Sequence, residues 1–453
     1  MLTALLLLSG AAVSAAVYPL KLDALHPRRL VDQRNAPFLL VGDAPHSLLV
    51  NLAPADAAFY LADRRAHGFN SLWVELLCVP YTGGRSDGSL LNGVRPFTRS
   101  LPNGEFDLSS PNESFFAYVD TLIRMAATND IQIMLDPLDT GGLMPTALDN
   151  GPDKCRAFGR YLGNRYRTFP NLIWLNGNDF GSWGEPNKEA VITAIALGIR
   201  DEDTNHLQTV EFGCMASHTW DDPNWRVIAG LNLAYTYYPT YAEVLSAWRQ
   251  STNNPVFMGE AHYEFESMAG DASEEGTPPI LRRQEYWAML SGAVGQVYGN
   301  GFTWPFKPGW REHLDSPGVA QLQHGTALFS ALPWFDLVPD VQHTFLTSGF
   351  GTYSEVGKVS ASDYVTAALS EDGTLGMAYL PVLGTVTINM ARLRGPMTAR
   401  WFDPADGTYH PTPGPPLANT GSHDFTPPGK NSGGDGDWVL VLTVPATAAG
   451  RVK

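Results

Sequence analysis

A chain of 453 residues carries 46 acidic against 30 basic side chains, a formal charge of −16, and is 44% hydrophobic and 11% aromatic. That length exceeds one ordinary domain but accommodates a large barrel with a smaller companion, and the hydrophobic share excludes extended disorder. The negative charge argues against nucleic acid and anionic membrane as partners, and leaves a neutral sugar open.

Residues 1–16 are apolar and end in the small-residue pattern Val13-Ser-Ala-Ala16. Although no Lys or Arg precedes the apolar run, the segment reads as a signal peptide, too short for a stable membrane anchor, and predicts a secreted protein. The three cysteines, Cys78, Cys155 and Cys214, form neither a metal spacing nor a disulfide framework, and read as small buried hydrophobes.

Residues 20–37 predict a short lead-in hairpin. Eight short apolar runs follow, at 38–42, 69–77, 131–135, 172–175, 207–212, 232–237, 256–259 and 295–298. Runs apolar on both faces suit buried parallel strands. Helical patterns separate them, at 54–67, 110–125, 154–167, 188–200, 241–249 and 282–290. Ser110-Pro-Asn-Glu113 reads as a capping box for the second, and the fifth crossover, near 222–229, is the poorest helix. Links from helix to strand are short, whereas links from strand to helix are long, above all 78–109 and 261–279. That asymmetry belongs to a (β/α)8 barrel whose strand-to-helix loops build an active face. An open doubly wound sheet also alternates in this way, but eight units within about 270 residues favour closure. After a helical stretch at 319–332, turn signals and two-residue alternation dominate, with strands expected at 364–369, 375–380, 386–390, 398–402 and 438–444. The predicted architecture is therefore a signal segment (1–16), a TIM barrel with its hairpin (17–335) and a small antiparallel β-sandwich (338–453).

Two strand ends carry chemistry. The fourth run ends in Asn178-Asp179 and the seventh in Gly259-Glu260. A closed barrel brings both ends to one rim, and paired carboxylates there serve as general acid/base and nucleophile in glycosidic cleavage. Each alone also reads more plainly, Asp179 as a turn cap and Glu260 as an ion-pair partner. Candidate sugar-binding groups surround them. Asn178 can bond a hydroxyl beside the reacting carbon, Asp43 and His46 follow strand one, and Tyr237 and Tyr238 end strand six. His262 lies just past Glu260, and Trp304 offers a stacking floor. Asp136, Asp139 and Glu75 are rival carboxylates, expected to contact substrate or one another. His-Glu-x-x-His is absent, so no metal or other cofactor is expected, and no Gly-x-Ser-x-Gly follows a strand. An ester hydrolase using Cys78 or Cys214 at a strand end is a weaker option. A non-catalytic carbohydrate- or matrix-binding protein is the main alternative to an enzyme. No obligate protein partner is evident.

The ends Asn178-Asp179 and Gly259-Glu260 resemble the four/seven arrangement of the large retaining glycosidase clan of (β/α)8 barrels. More narrowly, Leu30-Val-Asp-Gln-Arg-Asn-Ala-Pro-Phe38 leading into Leu40-Val-Gly-Asp43 resembles the apiosidase-like glycoside hydrolases of family 140. So do Trp174-Leu-Asn-Gly-Asn-Asp179 and Pro333-Trp-Phe-Asp-Leu-Val-Pro-Asp340. Trp401-Phe-Asp-Pro-Ala-Asp-Gly407 and Asp437-Trp438-Val-Leu are similar to the collagen-binding-type β-domain that accompanies those barrels. The resemblance covers nearly all of the chain after residue 16. It implies a retaining glycosidase with Asp179 as acid/base and Glu260 as nucleophile, releasing apiose-linked side chains from plant pectin. His46 departs from the aromatic residue expected after Gly42-Asp-Ala-Pro, and the loop 78–109 is the expected specificity element.

Overall fold

A computed structural model describes residues 15–213, 215–267, 273–412 and 414–444. The proposed signal segment up to residue 14 and Cys214 lie outside the described residues. Eight parallel strands are present: β1 Leu40–Asp43, β2 Ser71–Glu75, β3 Gln132–Asp136, β4 Leu172–Phe180, β5 Gln208–Phe212, β6 Asn232–Thr236, β7 Val256–Glu260 and β8 Ala293–Tyr298. They run side by side as β5-β4-β3-β2-β1-β8-β7-β6, with the short Ala216–His218 segment antiparallel to β6 at the end. No ladder joins β5 to β6. Side chains bridge that seam instead: Thr209 Oγ1 donates to Leu231 O at 3.0 Å, and Thr219 Oγ1 accepts from Leu233 N at 3.0 Å. The result is a near-closed TIM-type barrel.

Besides the single turn Leu48–Asn51, seven longer helices among the described residues accompany the strands: α1 Pro54–Ala66, α2 Glu113–Thr128, α3 Thr140–Tyr166, α4 Pro186–Glu202, α5 Thr240–Gln250, α6 Pro278–Leu290 and α7 Pro317–Ser330. The fifth crossover holds only short 3-10 turns, Thr219–Asp221 and Trp225–Val227. One interior core of inward residues, among them Leu40, Trp73, Met134, Ile173, Leu233 and Phe257, fills the barrel. The lead-in hairpin pairs Lys21–Leu22 with Leu30–Val31 and adds Leu20 and Leu30 to that core. Two sequence expectations need correction. The cap of α2 is Asn112, whose side chain accepts from Ser114 N, while Ser110 hydroxyl turns back to Asp107 O at 2.9 Å. Helix α3 begins near residue 140, not 154, because the chain bends at Gly151 (φ 71°) and resumes, so one turn-rich stretch hides two helical pieces.

Beyond α7 the chain forms two antiparallel sheets. The larger runs Leu337–Pro339, Thr366–Ser370, Leu375–Leu380, Trp438–Thr443, Thr398–Phe402, Tyr409–Pro411, and the smaller Leu346–Ser348, Val386–Asn389, Ser422–Phe425. Alternation along Trp438–Thr443 fixes two interfaces at once. Trp438, Leu440 and Leu442 enter the sandwich core with Met397 and Trp401. Val439 and Val441 face the barrel, packing with Tyr286 and Trp287 of α6 and Phe329 of α7.

Candidate active site

Both acid-bearing strands lose register just before the acid. On β4, Asn176 pairs with Val210, but the next pair is Phe180 with Phe212. Gly177 (φ 76°) and Asp179 (φ 50°) take left-handed conformations inside this bulge. Asp tolerates that region better than most residues, and such outliers gather where a side chain is re-aimed. The freed Asp179 N–H donates to Glu211 Oε2 at 3.0 Å instead of to a ladder. On β7 the pairing skips from Met258–Ala234 to Glu260–Tyr235, with Gly259 as the surplus residue.

These bulges bring Asp179 and Glu260 onto one hydrogen-bonded chain. Tyr235 hydroxyl contacts Asp179 Oδ1 at 2.9 Å and Tyr237 hydroxyl at 3.0 Å, and Tyr237 donates to Glu260 Oε1 at 2.5 Å. Laid end to end, those contacts of 2.9, 3.0 and 2.5 Å cap the separation of the two carboxylate oxygens at about 8.4 Å, within the span that glycosidase carboxylates occupy. Tyr263 donates to Glu260 Oε2 at 2.8 Å, and Tyr81 donates to Asp179 Oδ2 at 2.8 Å. Burial and, after it, the charge of Asp179 push the Glu260 carboxyl up to about 7, against the opposing pull of His46 and the two tyrosine donors.

A second chain backs Glu260. His46 bridges Tyr263 hydroxyl (Nε2, 3.2 Å) and Glu75 Oε1 (Nδ1, 3.1 Å). Burial lowers the His46 pKa and raises that of Glu75 well above the carboxylate range, so a neutral acid and a neutral imidazole suit this site. Glu75 in turn lies beside Asp136, whose pKa is raised well above the carboxylate range by burial and, after it, by this neighbouring carboxyl. Asp139, pushed up to about 7 mainly by burial, caps α3 through Gly142 N and accepts from Thr82 hydroxyl at 3.0 Å. Asp136 and Glu75 are thus neighbours, while Asp139 is held by Thr82 and the start of α3.

The other expected site residues divide. Asn178 is buried beside Asp179 with its Oδ1 unpartnered, and Trp304 sits at the rim, 6.2 Å edge-on from His46, with its indole N–H on Glu266 at 2.9 Å. Tyr238 is half-buried on the barrel core and makes no bond to Glu260. Asp43 does not reach the pocket: Gly42 takes the inward position of β1, and Asp43 turns to α1, where Tyr60 hydroxyl (2.5 Å) and Arg64 (3.5 Å) hold it. His262 also faces away, its ring Nε2 on Tyr237 O at 2.9 Å and its backbone N–H donating to Gln284 Oε1 of α6. Tyr81, Glu211, Tyr235 and Tyr263 join the site beyond the residues expected from the sequence. Burial leads in holding Glu211 protonated, with the charges of Glu260 and Asp179 behind it.

Cys78 is buried with its thiol donating to Thr82 O at 3.2 Å, and burial pushes its pKa up, which removes it as a nucleophile for the ester option. Two groups of possible metal donors exist among the described residues, Asp63–His67–Asp315 and His218–Asp221–Glu243. In each, the histidine is paired with an acid of its own group, which accounts for the grouping, and neither includes a pocket residue.

A barrel with paired acids at the ends of its fourth and seventh strands defines a glycoside hydrolase architecture. Residues 26–336 match the family described as "Apiosidase-like, catalytic domain", and residues 356–443 match "Putative collagen-binding domain of a collagenase". The chain belongs to the apiosidase-like family and is a glycoside hydrolase. No curated protein matches it in sequence. Among solved structures, a protein described as a glycoside hydrolase aligns with TM-score 0.79 at 21% identity, over 94% of this chain and 97% of its own. A family 5 glycoside hydrolase from Bacteroides vulgatus ATCC 8482 aligns with TM-score 0.79 at 19% identity, over 96% and 95%. At those identities the likeness speaks for the fold.

Proposed function

We propose that the protein is an exported, retaining glycosidase acting on apiose-bearing, pectic plant glycans by double displacement. Glu260 attacks the anomeric carbon while Asp179 protonates the departing oxygen. Asp179 then takes a proton from the water that releases the sugar from Glu260. The observation that carries this reading is the bracing of Glu260, whose two oxygens each accept a tyrosine hydroxyl on a rigid strand end. A fixed carboxylate aimed from a strand suits attack on carbon. The pectic substrate rests on family membership and on the motifs at 30–43 and 174–179. Export rests on the apolar residues 1–16, and N-terminal sequencing of protein recovered from the medium tests it.

The decisive experiment digests a panel of plant polysaccharides and identifies products by mass and anomeric configuration. Asp179→Asn and Glu260→Gln should each lower turnover by roughly three orders of magnitude or more. Parent-rate turnover by Glu260→Gln ends the proposal. The non-catalytic alternative expects saturable glycan or collagen binding with no product released; membership of a catalytic-domain family stands against it.

A further inference from the structure

Both oxygens of Asp179 are occupied at rest. Tyr235 holds Oδ1 at 2.9 Å and Tyr81 holds Oδ2 at 2.8 Å. With both oxygens so held, neither is open to a substrate oxygen, yet in a retaining reaction this carboxyl must reach first the departing oxygen and then the attacking water.

The two donors differ in freedom. Tyr235 is 1% exposed, its hydroxyl in contact with that of Tyr237, whereas Tyr81 is 48% exposed. The backbone around Tyr81 is pinned, since Thr82 hydroxyl donates to Asp139 and the Cys78 thiol to Thr82 O. Movement there is a side-chain swing, not a loop opening. The ring lies over Gly141 at the start of α3, where a Cβ would fall 2.1 Å from Tyr81 Cε1. Glycine is what allows the ring to lie flat in reach of Asp179.

We propose that Tyr81 is a removable latch on Asp179, its hydroxyl occupying the place that the leaving-group oxygen takes when substrate binds. Displacing it frees Oδ2, which takes a proton from solvent and delivers it to the departing oxygen; the carboxylate left behind accepts the proton of the water that enters the same place, and Tyr81 returns once the sugar has gone. Tyr81 thereby also positions the sugar on the leaving-group side of the pocket. The inference rests on Asp179 being the acid/base. The other ionisable groups around Asp179 are Tyr235 from β6 and Tyr237 just after it, Glu211 from β5, Glu260 from β7, Glu75 from β2 and His46 after β1.

Two variants leave all of those in place. Tyr81→Phe removes the hydroxyl and keeps the ring; Gly141→Ala keeps the hydroxyl and pushes the ring aside, with a residue that favours the helix it joins. The pH dependence of kcat/KM is measured on an apiose-bearing pectic oligosaccharide, with melting temperature confirming the fold. The alkaline limb should move to higher pH by about half a unit or more in both variants, because the ionised acid loses a donor. Limbs that overlay the parent's in both variants overturn the latch. Asp179→Asn separates the two ideas: parent-rate turnover there removes the acid/base assignment itself, whereas an inactive Asp179→Asn with unmoved limbs in the other two removes only the latch.

Discussion

At the scale of single residues, Glu260 sets the acid side of the activity profile. The nucleophile works only when ionised, and burial with the nearby Asp179 charge holds its proton up to about 7. Activity should therefore fall as pH drops through about 7. Tyr237→Phe removes a donor that favours the anion, so the acid limb of kcat/KM should move to higher pH and kcat should fall roughly 10- to 100-fold. A pH–rate series on both proteins checks this, and an unmoved acid limb removes Tyr237 from the role. The acids themselves were legible because a carboxyl closing a buried apolar strand has few structural uses. Tyr235 carries a signal of its own: it stands two residues before Tyr237, on the same strand face. Glu211 carried another, as an acid within the apolar β5. Tyr81 and Tyr263 carried none, since what brings them to Asp179 and Glu260 is the closing of loops by tertiary contacts. Asp43 stands near a strand end, but nearness does not say which face a side chain takes, and its own face is the outer one.

At the scale of elements, the periodic runs located all eight barrel strands, and their ends are where physics departed from pattern. The bulges in β4 and β7 are invisible to alternation, because a surplus residue leaves the composition unchanged. Helix α3 was cut short in the sequence by Gly141, Gly142, Pro145 and Gly151, residues that normally stop helices. In the β-domain the short strands Leu346–Ser348, Tyr409–Pro411 and Ser422–Phe425 are too brief to show a period. The joint between domains was equally hidden. Arg282 of α6, 1% exposed, donates to both oxygens of Asp437 at 2.9 and 2.8 Å and to Asp435 at 2.7 Å, while Trp287 indole donates to Tyr364 O at 3.0 Å. Arg282→Met leaves Asp437, 2% exposed, as an unpaired buried charge. The expected loss is about 3–5 kcal/mol in urea unfolding. Adding Asp437→Asn should return much of it, and a single variant as stable as the parent would show that the Arg282–Asp437 pair does not hold the domains together.

At the scale of the whole molecule, the pocket charges the fold for its chemistry. Asp139 and Glu260 hold protons up to about 7, and Glu75, Asp136 and Glu211 hold theirs well above the carboxylate range, burial being the largest cause in each. The same groups in the unfolded chain release protons near 4 to 4.5. Between those values the folded state binds more protons than the unfolded one, so stability falls as pH rises through the window. Asp107 and Asp201 act in the opposite sense. Hydrogen bonds led by Ser109 and Arg156 pull each down to about 2, and the stability they add is lost only as pH falls below about 4. The net charge of −16 at neutral pH adds self-repulsion in the same direction as the buried acids. Melting temperature should therefore peak near pH 4 to 5 and decline toward pH 8. Glu211→Gln, which keeps an acceptor for the Asp179 N–H but has no proton to lose, should flatten that decline. Calorimetry across pH 4 to 8 measures both, and a melting temperature that climbs from pH 5 to 8 would contradict the balance drawn here. The ionised Glu260 that does the chemistry gains population as pH rises through about 7, the same direction in which the buried acids loosen the fold.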